Sequence, residues 1–284
     1  MSATVETAAQ YHADEGATRA SISSSLIHTL LTESPRHAWA NHPRLNPDYE
    51  RTEDEKFDVG NVAHALILEG VDKAVRLDFP DWRTKDARGA RDACRASGNI
   101  PLLAEQYERV RAMVGEFDRQ CEEHSAQPRL LRDGSPEITL RFTDSGIECR
   151  ARLDYLHADL STIDDVKTTS RSASPWAYAR ALYQHGGDIQ AAFYRRAVQR
   201  AFDVTRAPTF RWIVVETNPP YALSVIEPAA DVLAVGDDKI DKALELWGRL
   251  LELEGEWPAY PLDVVRAELP PWEESRWLER KETL

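Results

Sequence analysis

The sequence predicts an α/β fold of mixed α+β type, with one mixed β-sheet flanked by helices. Three observations predict it. Glu137 to Thr143 alternates, Ile138, Leu140 and Phe142 facing one way and Glu137, Thr139 and Arg141 the other, which is the period of a half-buried strand. Two more strand patterns follow at once. Helical patterns lie before and after them, so the order is helices, three strands, helix, strand, strand, helix, as in a layered sheet-and-helix core.

Residues 1–20 are polar and aperiodic and read as a flexible N-terminal arm. Ser23-Ser24-Ser25 before Leu26, Leu30 and Leu31 predicts a capped short helix that stops at Glu33-Ser34-Pro35. Residues 43–56 hold two prolines and many charges and read as a loop. Phe57 to Glu69 turns helical, with Val59, Val62, Ala63, Leu66 and Ile67 as the apolar stripe and Gly70 as the stop. Residues 78–100 mix Pro, Gly and charge and read as irregular. Leu102 to His124 is a long amphipathic helix, Leu103, Tyr107, Val110, Val114 and Phe117 on one side.

Asp144-Ser145-Gly146 is a turn, so the strand Ile147 to Leu156 closes a hairpin, with Arg150, Arg152 and Asp154 on its polar face. A third strand runs from about Leu160 to Thr168. Ser174-Pro175 opens a helix, proline being tolerated in the first turn, and a second helix spans Asp188 to Phe202. Strands at Phe210 to Glu216 and Ala222 to Ile226 and a helix from Asp231 to Leu253 complete the core. Glu256 to Leu284, rich in Pro and Trp, reads as ordered coil packed over the body. No segment has a linker's composition, so residues 21–284 are expected to form one domain.

Composition narrows the function classes. Lys plus Arg number 35 against 48 Asp plus Glu, a net charge of −13, with 42% hydrophobic and 29% charged residues among 284. This is the balance of a soluble globular chain, and no apolar run approaches the ~20 residues of a membrane span. Met1 to Arg19 lacks the basic-then-apolar design of a secretory leader. Cys94, Cys121 and Cys149 form no C-x-x-C pair, which argues against a disulfide framework, a structural zinc site or an iron–sulfur cluster and makes a reducing cytoplasm the expected compartment. The acidic balance speaks against coating nucleic acid by bulk charge but leaves room for a local basic groove or a metal-charged site.

The third strand carries Asp164-Asp165-Val166-Lys167. Period two puts Asp165 and Lys167 on one face, where a carboxylate can hold a hard divalent ion and a lysine can steady a phosphate. Alone, D-x-K is more often a surface salt bridge. Asp154, near the end of the preceding strand, brings a second carboxylate beside it, and two such charges repel unless a cation sits between them. His64 lies mid-helix one turn after Gly60, whose ~1 kcal/mol helical penalty points to a close approach. Gln190 and Tyr194 share a helical face.

In this order, Gly60-x-x-x-His64, Asp154, Asp165-x-Lys167 and Gln190-x-x-x-Tyr194 resemble the PD-(D/E)xK nuclease superfamily, in particular the RecB-type branch and its RecE-like 5′→3′ exonuclease domains of phages and prophages. Ser34-Pro35-Arg36-His37 is similar to the S-P-x-H opening of that branch, and the resemblance runs from about Ser21 to Trp272. It implies a restriction-endonuclease-like core. It implies that His64, Asp154 and Asp165, with the Val166 carbonyl, hold Mg²⁺ or Mn²⁺, while Lys167 acts on the water or the phosphate. By the same resemblance Gln190 and Tyr194 hold the strand. Glu137 stands behind the ligands or joins a second metal, and Arg150 and Arg152 contact phosphates or are simply solvated. Linear duplex DNA is the implied substrate, a homo-oligomer the implied assembly and a single-strand annealing protein the implied partner. An endonuclease of the same superfamily, or an inactive DNA-binding module on this fold, are the alternatives.

Overall fold

The computed structural model describes residues 6–50 and 58–284. The start of the expected arm, part of the 43–56 loop and Phe57 lie outside the described residues. The central sheet has five strands: β3 (Gly134–Asp144), β4 (Ile147–His157), β5 (Thr162–Thr169), β6 (Thr209–Glu216) and β7 (Leu223–Ile226), in that spatial order. β3, β4 and β5 pair antiparallel, β5 and β6 parallel, and β6 and β7 antiparallel. The mixed sheet predicted from the alternation is present. A parallel pair needs a crossover, supplied here by α7 (Pro175–Gln184) and α8 (Gly187–Phe202).

Helices cover both faces. On one, α2 (Ser24–Thr32), α8 and α9 (Ala230–Leu250) bury Leu26, Ile27, Phe193 and Trp247 against Leu140, Phe142, Leu153 and Trp212. On the other, α4 (Asp58–Glu69) and α6 (Ala104–Glu123) bury Val62, Val110, Met113 and Phe117 against Val166, Ile213 and Val215. β5 and β6 are therefore buried on both sides, and their apolar residues run without the clean alternation of β3. Among the described residues no helix is long and apolar enough to cross a membrane.

Four segments depart from expectation. Residues 6–20 are not an arm: α1 (Ala8–Ala13) is closed by a Thr7–Gln10 capping box, and Asp14 at its end is fully buried. Asp14 accepts from Ser21 N and Oγ at 2.9 and 2.6 Å and from Arg141 Nη1 at 2.9 Å. Burial pushes its carboxyl up, but Arg150, Arg141 and Ser21 outweigh it and hold the group below the usual carboxylate range. α3 (Pro35–Ala40) forms where a stop was expected, because Ser34 caps it and Pro35 suits its first turn. Residues 78–100, read as irregular, contain α5 (Lys85–Ala96), capped by Thr84; it lies between β1 (Ala74–Leu77) and β2 (Ile100–Leu103), a small parallel pair beside α4 and α6. The tail does not lie over the body. Trp257 is buried against Trp247, but Tyr260, Leu262, Val264, Val265 and Leu269 are exposed, and α10 (Pro271–Glu282) buries nothing.

Candidate active site

β4 and β5 pair only at Tyr155↔Asp164 and Leu156↔Ile163 and then part. Asp154 is the first residue of β4 beyond the last rung, so its carboxylate takes over a bond the ladder has given up: Oδ2 accepts from Val166 N at 2.8 Å. Asp165 and Lys167 follow on the other limb of this fork. Asp165 is fully buried; Oδ1 accepts from Gln190 Nε2 at 2.9 Å, and Oδ2 is ion-paired with Lys167 Nζ at 2.5 Å.

α4 brings His64 over the fork, its Nε2 3.0 Å from Asp154 Oδ2 and its Nδ1 3.4 Å from Glu137 Oε1. Gly60 explains how. A Cβ there would stand 3.1 Å from Thr168 Oγ1, so the missing side chain lets α4 approach β5 closely. Glu137 sits on β3 with φ at 55°, in the left-handed region, although it is not glycine. Such a residue is held there by its surroundings at about 1–3 kcal/mol. Arg152 does the holding: its Nε donates to Glu137 Oε2 at 2.6 Å and its Nη1 to Thr139 Oγ1 at 2.9 Å.

The electrostatics follow from burying three carboxylates together. Burial, joined by the Asp154 charge, pushes Asp165 up to about 7 against the pull of Lys167. Burial likewise raises Glu137, Arg152 opposing and Asp154 assisting. For His64, burial disfavours the charged ring, but Asp154, Glu137 and Asp165 together outweigh it and raise its pKa. Lys167 is raised too, burial being overcome by Asp165 and Asp154, so it keeps its charge.

The fork opens into a cleft of about 1010 Å³. His64, Glu137, Arg152, Asp154, Lys167, Gln190 and Tyr194 all line it. The structure thus brings together the residues singled out by sequence, with one exception. Arg150, expected beside Arg152 at a phosphate, is an internal residue: 5% exposed, it donates from Nη1 to Ser21 O and Oγ at 2.6 and 2.8 Å and lies 3.2 Å from Asp14. The polar face of β4 meets the cleft at Asp154 and Arg152; farther back α1 and residues 14–21 cover Arg150. Gln190 contacts Asp165 itself. Tyr194 is buried, its ring 6.1 Å from Phe210, and burial pushes its hydroxyl well above the usual phenol range. Val166 is buried. Tyr11 and His12 of α1 also line the cleft, with Ser24, Ser25, Lys73 and Arg95. Tyr11 is not among the residues the sequence picks out, because residues 1–20 read as a flexible arm; the Thr7-x-x-Gln10 capping box is the signal for α1.

These donors fit a hard divalent cation. One ligand atom each from His64, Glu137 and Asp154 lie within 4.8 Å of one another, and the Asp165 carboxylate, paired with Lys167, stands on the facing strand. Oxygen-rich sites with one imidazole suit Mg²⁺ and Mn²⁺.

Residues 23–265 match a family described as a PDDEXK-like domain of unknown function (DUF3799). The chain belongs to this PDDEXK-like family. The match takes in every site residue above except Tyr11 and His12. Among solved structures, a "Putative exonuclease" from Eubacterium rectale is similar over 96% of this chain and 98% of its own, at 12% identity and a TM-score of 0.59. That likeness shows the fold. A phage related exonuclease from Haemophilus somnus 129PT covers 73% of this chain and 98% of its own at 12% identity, with a TM-score of 0.32 that carries no argument. No curated protein matches the sequence. Family and fold together support a nuclease of the PD-(D/E)xK superfamily.

Proposed function

We propose that the protein is a divalent-metal-dependent deoxyribonuclease of the RecE-like kind, degrading linear duplex DNA from its 5′ ends. The observation that carries the reading is the β4–β5 fork, where His64, Glu137 and Asp154 converge opposite Asp165 and Lys167. On this reading His64, Asp154 and Asp165, with the Val166 carbonyl, hold Mg²⁺ or Mn²⁺, and Glu137 supports them or serves a second ion. Such an ion, when bound, polarises a phosphate and lowers the pKa of a bound water.

The chain's own groups do the rest. Lys167 presents a charged ammonium at the cleft wall, where it steadies the charge that builds on a phosphate under attack. Gln190 fixes the Asp165 carboxylate, and Arg152 fixes Glu137. Tyr194 closes the wall of the cleft on the α8 side. The resemblance also supports a homo-oligomer working in a bacterial cytoplasm with a single-strand annealing protein.

The test is digestion of linear duplex labelled at the 5′ or the 3′ end, beside a covalently closed circle, in Mg²⁺, in Mn²⁺ and in EDTA. Early loss of the 5′ label, an intact circle and no reaction in EDTA are expected. Nicking of the circle at the same rate would make the enzyme an endonuclease of the superfamily. Binding without cleavage under every metal condition would make it an inactive module.

A further inference from the structure

The chain is strongly acidic, and acids line much of its cleft: Asp58, Glu69, Glu137 and Asp154. A polyanion that reaches Asp154 has to be drawn in against them. Arg150 is internal and Arg152 is engaged with Glu137, so neither of the arginines expected at the phosphates is placed to do it.

α5 carries the missing charge. Its twelve residues include Lys85, Arg88, Arg91 and Arg95 against Asp86 and Asp92. Steps of three, three and four residues keep the four cations on one side of the helix, while Ala87 is buried against the body. The stripe begins inside the cleft. Arg95, together with Lys73 and Asn99, lines its wall, and Arg95 is pinned there by Asp58 at 2.6 Å. From Arg95 it runs outward, Arg88 and Lys85 lying roughly 10 and 15 Å farther along the helix axis at 1.5 Å per residue. Both are exposed, and the ion pairs described on this helix involve Arg91 and Arg95 rather than these two. Cations at one-turn intervals that lead from solvent into a phosphate-cleaving site suit a repeating anion better than a single small one.

We propose that the exposed basic side of α5, at Lys85 and Arg88, is the surface that binds the phosphate backbone of the nucleic acid and feeds it past Lys73 to the β4–β5 fork. This rests on the nuclease reading and adds the surface that reading lacks. Because the contacts go to phosphates, binding is salt-sensitive and indifferent to sequence.

The test compares the full-length parent, the variant Lys85→Gln/Arg88→Gln and a control, Arg280→Gln/Lys281→Gln on the exposed α10. The control removes the same charge from another place. Glutamine is a good helix former and all four positions are exposed, so each variant keeps its fold. Fluorescence anisotropy of a short fluorescein-labelled linear duplex in EDTA, followed from about 50 to 200 mM salt, reads binding without cleavage. The α5 variant is expected to lose roughly tenfold in affinity per contact at about 0.1 M salt, and its log K against log salt slope to flatten by about 1.8, at ~0.9 per phosphate contact. The control should match the parent. An α5 variant with the parent's affinity and slope, or a control that weakens equally, overturns the proposal. Nucleotide release in Mg²⁺ is measured on the same samples: cleavage by the parent with an unchanged α5 variant sinks this surface alone, and salt-sensitive binding at α5 without cleavage sinks the nuclease reading alone.

Discussion

Lys167 and Asp165 sit on one strand 2.5 Å apart, yet their removal should have separable consequences. Asp165 is wholly buried and is one of the proposed metal ligands, so Asp165→Ala should bind Mn²⁺ more weakly by calorimetry and lose cleavage. Lys167 is 32% exposed and points a charged ammonium at the cleft. At 2.5 Å and an effective dielectric of 20, Coulomb's law gives the pair about 7 kcal/mol as an upper bound. Partial exposure screens it, and the stability lost in Lys167→Ala should be about 1–3 kcal/mol, less than full rupture of a buried pair. The rate should fall much further than stability implies. Loss of one preorganised donor at a developing oxyanion is worth about 10²–10³ in kcat, or ~2.7–4 kcal/mol. Single-turnover release of labelled nucleotide at saturating Mg²⁺, well below the unfolding midpoint, reads that factor directly. Full activity in Lys167→Ala would refute the reasoning and return the Asp165–Lys167 pair to an ordinary salt bridge. Parent-like Mn²⁺ affinity in Asp165→Ala would refute the ligand assignment.

Gly60→Val should slow cleavage while barely changing the helix, since a side chain 3.1 Å from Thr168 Oγ1 forces α4 and His64 away from β5; an unchanged rate would contradict the close-approach argument. Arg150→Met should cost about 1–3 kcal/mol in urea unfolding, because it leaves the buried Ser21 carbonyl and hydroxyl without their guanidinium donor and takes a close cation from Asp14, Arg141 remaining, and a loss under about 0.5 kcal/mol would show that Arg150 does not anchor this corner. Stability should also fall with acid. Burial and the Arg150 charge push His42 from 6.5 down to about 4, so between those values the unfolded chain binds a proton that the folded one refuses, and stability rises with pH across that window. At about pH 5 the loss is roughly 2 kcal/mol against neutral pH, and it should disappear in His42→Gln; a pH dependence that survives the substitution would assign it to other groups.

The sheet was legible because β3 and β4 pack apolar residues on one face, put polar and charged residues on the other even where α1 and residues 14–21 cover it, and leave turn residues between them, so period two survives in the sequence. The candidate site's juxtaposition was legible because its members occupy regular elements: His64 a turn after Gly60, Asp165 and Lys167 two apart on a strand, Gln190 and Tyr194 four apart on a helix. What was not legible depends on long-range covering. Nothing local to Arg150 says that Ser21 and Asp14, more than a hundred residues earlier, lie on top of it. α1 and α5 bury one residue between them, Ala87, so no apolar stripe announces them. Their signals are the caps at Thr7 and Thr84 and, for α5, the spacing of its cations. The tail misled in the opposite sense: tryptophans and leucines suggested packing, yet α10 keeps Trp272, Trp277 and Leu278 exposed.

On the proposed mechanism, the fork between β4 and β5 holds the divalent ion on which cleavage depends. The most direct test of this is the rate of nucleotide release from a linear duplex as Mg²⁺ is raised from zero, in the parent and in Asp154→Ala. A parent rate that climbs from nothing to a plateau, beside a flat line for Asp154→Ala, is the predicted result. Cleavage by the parent in EDTA, or the same Mg²⁺ curve for both proteins, would contradict it.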